Sequence, residues 1–130
     1  MPILLVDGSN VIRLAYRLKG KPNFQLEAVL SDILVEYLRN LSEYYCCIEC
    51  YFDGPKRPVK HLQGVNIFFS KKHKADKLIL NSVYDYIYNY SREVQVVTAD
   101  NEIIKNSGIY GAAIQYTYNF LKGFLSYVIL

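Results

Sequence analysis

The chain has little cysteine, and what it has is not spread out. Its three cysteines fall together in Cys46-Cys47-Ile48-Glu49-Cys50. A disulfide framework needs an even number at separated positions. A zinc site needs a fourth ligand at suitable spacing, and no second Cys or His cluster answers this one. The expected role of these cysteines is to fill a buried strand as small apolar side chains. Long hydrophobic runs are also missing. The apolar end, Phe120 to Leu130, is too short to span a bilayer and contains Lys122 and Gly123. The start, MPILLVD, lacks a basic region and meets an acid early, unlike a secretory leader. A soluble, cytoplasmic protein with no membrane partner is expected. There is no phosphate-binding GxxxxGK[ST] loop, no GxGxxG turn and no GxSxG elbow. The two histidines, His61 and His73, both lie in basic stretches and have no evident triad. No repeat, linker or low-complexity segment divides the chain.

What is present is a chain of 130 residues, 52% hydrophobic and 21% charged. That suits one globular domain over residues 1–130, able to bury a core without staples. The net charge of +3 permits nucleic-acid binding without arguing for it.

Short apolar, β-prone runs alternate with helical patterns. Pro2 to Val6 reads as a first buried strand, followed by a short helix from Asn10 to about Leu18 that Lys19-Gly20-Lys21-Pro22-Asn23 breaks. From Gln25 to Tyr44 apolar residues recur at helical spacing. Cys46 to Phe52 and Val65 to Phe69 read as strands two and three. Ala75 to Tyr90 reads as a helix, Glu93 to Val97 as strand four. A helix from Asn101 to Asn106 should stop at Ser107-Gly108, leaving Tyr110 to Ile114 as a short fifth strand. Thr117 is a candidate N-cap for a last helix through Tyr127. Alternation of this kind implies crossovers and a parallel sheet covered on both faces.

Three aspartates directly follow such runs, Asp7 in ILLVDGSN, Asp53 in ECYFDGP and Asp100 in VQVVTADNE, and a fourth, Asp76 in KKHKADKLI, opens a helical pattern after one. Each has a bland explanation. Asp7, Asp76 and Asp100 could serve a helix N-terminus. Asp53-Gly54 could be an ordinary turn. Taken together they gather at one edge of an open sheet, where ligands bind. Carboxylates crowded there repel unless a cation lies between them, and Mg²⁺ favours oxygen ligands. That pattern points to metal-dependent phosphoryl transfer. Asn10 could orient Asp7, and Thr98 could hydrogen-bond a metal ligand or a phosphate. Glu102 and Glu36 read as solvated helix residues.

Two basic stretches flank this edge: Lys56, Arg57, Lys60 and His61, then Lys71, Lys72, His73 and Lys74. Positive charge beside an acidic site suits a polyanion backbone. The 13 tyrosines include Tyr84, Tyr86, Tyr88 and Tyr90 in one helix. They read as core cover or subunit contact, so this surface and the apolar C-terminal segment are the two candidates for a homodimer interface.

The segments VDGSN, YFDG, KADKLI and VVTADNEI, in this order, resemble the PIN-like nuclease superfamily, specifically its NYN branch and the YacP-like bacterial members. The resemblance spans nearly the whole chain. It implies a three-layer α/β/α Rossmann-like fold with a central, mainly parallel sheet of four to five strands. It implies a Mg²⁺- or Mn²⁺-dependent ribonuclease, with Asp7, Asp53, Asp76 and Asp100 as metal acids and Asn10 as the asparagine that follows the first; single-stranded or locally unpaired RNA is the expected substrate, since an open sheet edge can admit a flexible strand. Lys56, Arg57, Lys60, Lys71, Lys72 and Lys74 would hold the RNA, with Thr98 in support. The chain departs from its relatives at Ser9, where they favour tyrosine, and at Lys77, where they favour an acid. It is also shorter and lacks their basic C-terminal extension. The alternative expectation is a non-catalytic RNA-binding or assembly module. A small-phosphoester phosphatase is a weaker third reading, because Asp7-Gly8-Ser9 supplies no DxD pair.

Overall fold

The five residues of β1 (Ile3–Asp7) are all buried, which places that strand at the centre of a sheet covered on both faces. The computed structural model describes residues 1–19, 24–72 and 74–129. β1 pairs in parallel with β2 (Cys47–Phe52) on one side and β4 (Val94–Thr98) on the other. β3 (Val65–Phe69) and β5 (Ala113–Tyr116) are the edges, giving the order β3-β2-β1-β4-β5 with every pairing parallel. The expected α/β architecture with one central parallel sheet is the one observed.

Side chains of β1 alternate between two cores. Leu4 and Val6 pack with α1 (Gly8–Lys19), α2 (Phe24–Leu41) and α5 (Thr117–Ile129), through residues such as Val11, Leu34 and Phe124. Ile3 and Leu5 pack with α3 (Asp76–Tyr84) and α4 (Asn101–Tyr110), through Ile79, Val83 and Ile103. Burying each such side chain contributes about 1.5–3 kcal/mol before entropy is counted.

Several boundaries differ from the sequence reading. The expected break after α1 falls on residues 20–23, which lie outside the described residues. Gly108 does not stop α4. The helix continues to Tyr110 and ends at Gly111, whose φ of +102° closes the turn. β5 therefore starts at Ala113, not Tyr110. The long helix expected to end at Tyr90 is α-helical only to Tyr84; Asp85–Asn89 form a π-helical turn. Residues of α2 expected through Tyr44 become a 3₁₀ turn at Ser42–Tyr44.

The cysteines divide. Cys50 is buried as expected, Cys47 is half-buried at the start of β2, and Cys46 is exposed just before the strand. Glu49, one strand residue from Cys50, points to the opposite face. Buried there, it accepts hydrogen bonds from the hydroxyls of Tyr51 and Tyr86. Tyr86 thus turns inward, whereas Tyr84, Tyr88 and Tyr90 remain exposed. The rings of Tyr84 and Tyr88 lie 4.7 Å apart, as their helical spacing predicts.

Candidate active site

The strand order reverses at β1. The chain runs outward through β2 and β3, then returns to place β4 on the other side of β1. At such a switch point the loops leaving the two strands part, and a crevice opens at their C-terminal ends. Asp7 ends β1 and Asp100 follows β4, so both stand at this crevice. Asp53 follows β2 and Asp76 opens α3 after β3. All four aspartates line one small cavity of about 40 Å³, together with Asn10, Arg13, Lys74 and Ile103.

Asp7 lies deepest, 6% exposed. Burial pushes its carboxyl from the ordinary 3.8 up to about 6, and the charge of Asp53 adds to the rise. Three contacts oppose it: the Asn10 backbone N–H, the Thr98 hydroxyl and the nearby Arg13 charge. Thr98 is fully buried. Its hydroxyl donates to Asp7 Oδ2 at 3.2 Å and accepts from the Asp100 backbone N–H at 3.1 Å. One threonine therefore ties the acid of β1 to the acid after β4.

Asp100 also fulfils its bland role. Its Oδ1 caps α4, accepting from the N–H groups of Glu102 at 2.9 Å and Ile103 at 3.2 Å. Glu102 itself is exposed and does not line the cavity. Asp76 accepts from the Lys77 N–H at 3.0 Å and sits in the first turn of α3.

Asp53 is held most tightly. Its Oδ1 accepts from the Ala75 N–H at 2.7 Å, and its Oδ2 meets the Arg13 guanidinium at 2.8 Å. Its own N–H donates to Ser9 Oγ at 2.7 Å. The turn after it uses Gly54 at φ +88°, and Gly54 N–H donates to Ser70 Oγ. The Lys71 N–H donates to the Gly54 carbonyl at 2.7 Å. The loops after β2 and β3 are thus tied together beside the acids.

Asn10 serves to position rather than to face the cavity alone. Its Oδ1 accepts from the Ala99 N–H at 3.0 Å and the Thr117 hydroxyl at 2.7 Å. It joins α1 to the β4–α4 loop and to the start of α5. Gly8 lets α1 begin this close to the sheet. A Cβ there would lie 2.8 Å from Cys50 Sγ and 2.9 Å from both the Phe52 ring and the Tyr51 carbonyl oxygen.

The basic residues separate into three groups. Lys74 lines the acidic cavity. Lys56, Lys71 and Lys72 are exposed on the tied loops. Arg57 and Lys60 point elsewhere. The Arg57 guanidinium lies over the rings of Phe52 and Phe69, donates to the Asp53 carbonyl and faces Glu27 at 3.6 Å. Lys60 pairs with Glu36 on α2, and its N–H donates to Asp32. Glu36, expected to face solvent freely, is the partner in that pair. His73 lies outside the described residues.

Arg13 was not among the expected site residues. It sits one helical turn after Asn10, on the same face of α1, and that spacing was the available signal.

The donor set is all oxygen and suits a hard divalent cation. In this arrangement no three acidic, histidine or cysteine side chains among the described residues stand close enough to share one ion. The Arg13 guanidinium instead supplies a positive charge at Asp53. Among the described residues, no helix is long and apolar enough to cross a membrane.

The model for the YacP-like NYN domain matches residues 4–124 of this chain. Similar solved structures include the following two. The crystal structure of Rae1 (YacP) from Bacillus subtilis superposes with a TM-score of 0.75 at 22% identity, covering 99% of this chain and 76% of that one. Its W164L mutant gives 0.70 at 23% identity, covering 99% and 78%. No curated protein matches. With the family match running from β1 into α5 and the fold shared with these structures, the chain belongs to the YacP-like NYN domains, a family of the nuclease type.

Proposed function

We propose that this protein is a divalent-metal-dependent ribonuclease that hydrolyses single-stranded or locally unpaired RNA within the strand. The observation that carries the reading is that four aspartates line one crevice at the switch point of the sheet, with Asp7 the most buried of them. Asp7, Asp53, Asp76 and Asp100 would supply the ligands of one or two Mg²⁺ or Mn²⁺ ions, although no three of them share one point in the present arrangement. When bound, the ion would lower the pKa of a water molecule and offset charge on the scissile phosphate. Thr98 fixes Asp7 and the Asp100 backbone in one geometry. Asn10 holds α1 against the β4–α4 loop, so the first and last acids keep their separation. Lys74 offers a positive charge at the cavity wall, and Lys56, Lys71 and Lys72 offer phosphate contacts on the way to it. Arg57 braces the Asp53 loop, and Lys60 pairs with Glu36 of α2.

A second reading, a non-catalytic RNA-binding module, draws on one observation: Arg13 already neutralises Asp53, and no three acids converge on a single point. The two separate on end-labelled single-stranded RNA incubated with Mn²⁺ or with EDTA. A ribonuclease cuts in Mn²⁺ and is silent in EDTA. RNA that is bound in both and cut in neither would favour the module.

A further inference from the structure

A second, larger cavity of about 510 Å³ opens beside the acidic one. The two share Arg13 and Asp53. Its volume falls within the range of pockets that hold small organic ligands, about 300–1,000 Å³. Ile12, Tyr16 and Pro55 give it apolar walls. Polar groups converge from other sides: Ser9, Glu27 and Arg57, besides the shared pair. Apolar surface with a few placed polar groups is what a nucleoside needs, since a base has an apolar face and a hydrogen-bonding edge.

Position narrows the occupant. An RNA strand with one phosphate at the aspartates must send a neighbouring nucleoside along the crevice. This cavity adjoins the crevice and is sized for one such unit. Arg13 stands at the seam, 57% exposed, with its guanidinium held at 2.8 Å by Asp53. A guanidinium presents several donors in a plane and can bind a phosphate oxygen while keeping a carboxylate partner. Arg57 supplies a rigid wall, since its plane lies over Phe52 and Phe69 and its hydrogen bonds go to the Asp53 loop.

We infer that the cavity between α1, α2 and the Asp53 loop is a nucleotide subsite, taking one ribonucleoside of the substrate with its phosphate on Arg13. The inference rests on the ribonuclease reading for its substrate, but its binding test does not need cleavage.

The experiment is a titration of isotope-labelled protein with ribonucleoside monophosphates in EDTA, followed by NMR. Unphosphorylated nucleosides are the parallel arm. Ser9→Tyr fills the cavity from α1, and Glu27→Phe fills it from α2. Either variant suffices if its thermal transition shows that it folds. The expected result is shifts centred on Ile12, Tyr16 and Arg57, with affinity reduced about tenfold or more in a filled variant, the scale of one lost base contact. Arg13→Ala should weaken the monophosphates and leave the nucleosides nearly unchanged. Shifts elsewhere, or folded filled variants that bind as well as wild type, overturn the subsite. Cleavage is read separately in Mn²⁺. Active enzyme with no nucleotide binding in the cavity would sink the subsite and keep the ribonuclease. Nucleotide binding in the cavity without cleavage would do the reverse.

Discussion

The Arg13 guanidinium on α1 pairs at 2.8 Å with the Asp53 carboxylate, which sits 40 residues later in the chain after β2. The pair sets a cation of the protein inside a cluster of acids. Both side chains are substantially exposed, so solvent screening limits its worth to well under about 1 kcal/mol of stability. Arg13→Ala should therefore leave the urea midpoint almost unchanged. It should tighten Mn²⁺ binding, because Asp53 loses its competing partner, while weakening RNA binding. An Mn²⁺ titration followed by electron paramagnetic resonance checks this. Weaker Mn²⁺ binding in the variant would show that Arg13 supports the metal rather than competes with it.

Asp7 makes stability depend on pH. Its folded carboxyl titrates at about 6, against 3.8 for an ordinary aspartate, mainly through burial. Below about pH 4 both folded and unfolded chains hold the proton. Between about pH 4 and pH 6 only the folded chain keeps it, so this group's contribution falls as pH rises through that window. Above it the folded state carries a buried charge at a cost of up to about 3 kcal/mol. Asp7→Asn removes that cost. In EDTA at pH 7 the variant should be more stable than wild type by about 1–3 kcal/mol, and the gap should close toward pH 4. Parallel denaturation curves at all pH values would refute the assignment.

Thr98 spans the gap between the first and last acids. Thr98→Val keeps its shape but deletes the bond to Asp7 and strips the Asp100 N–H of its acceptor. Leaving such buried groups unpaired costs about 1–3 kcal/mol. Thr98→Ser should recover most of it. Urea denaturation of the pair of variants measures the difference, and equal midpoints for valine and wild type would contradict it.

Gly8 sets how closely α1 can approach β2. Gly8→Ala places a Cβ under 3.0 Å from Cys50, Phe52 and the Tyr51 carbonyl. Backbone must then move, and overpacking of this kind costs about 1–3 kcal/mol. A variant as stable as wild type, measured by thermal unfolding, would mean that the helix start can shift freely.

Much of this was legible in the chain. Ile3 to Asp7 carries both the strand and its terminal acid in one apolar run, and the same holds for Val94 to Asp100. Those runs are buried on both sides, so local sequence reports the tertiary placement directly. Asp7, Asp53 and Asp100 were readable because each follows such a run, whereas Asp76 opens α3 seven residues after the half-exposed β3. Features made by distant pairs were not. Arg13 finds Asp53 only after β2 is laid beside β1, and Glu49 finds Tyr86 only when α3 packs on the sheet. The partners of Arg57 and Lys60 were not legible, because charge in a loop carries no sign of its partner. Glu27 and Glu36 come from α2, far away in sequence. Gly108 misled for a local reason: a glycine ends a helix only where the chain takes a left-handed residue, and here that residue is Gly111.

The most direct test of the central claim is Mn²⁺-dependent cleavage of labelled single-stranded RNA by wild type and by Asp100→Asn. Asparagine keeps an oxygen to cap α4, so the fold is preserved while the charge is removed. The account predicts cleavage by wild type and a loss on the order of 100-fold or more in the variant. Equal cleavage by the two proteins would contradict it.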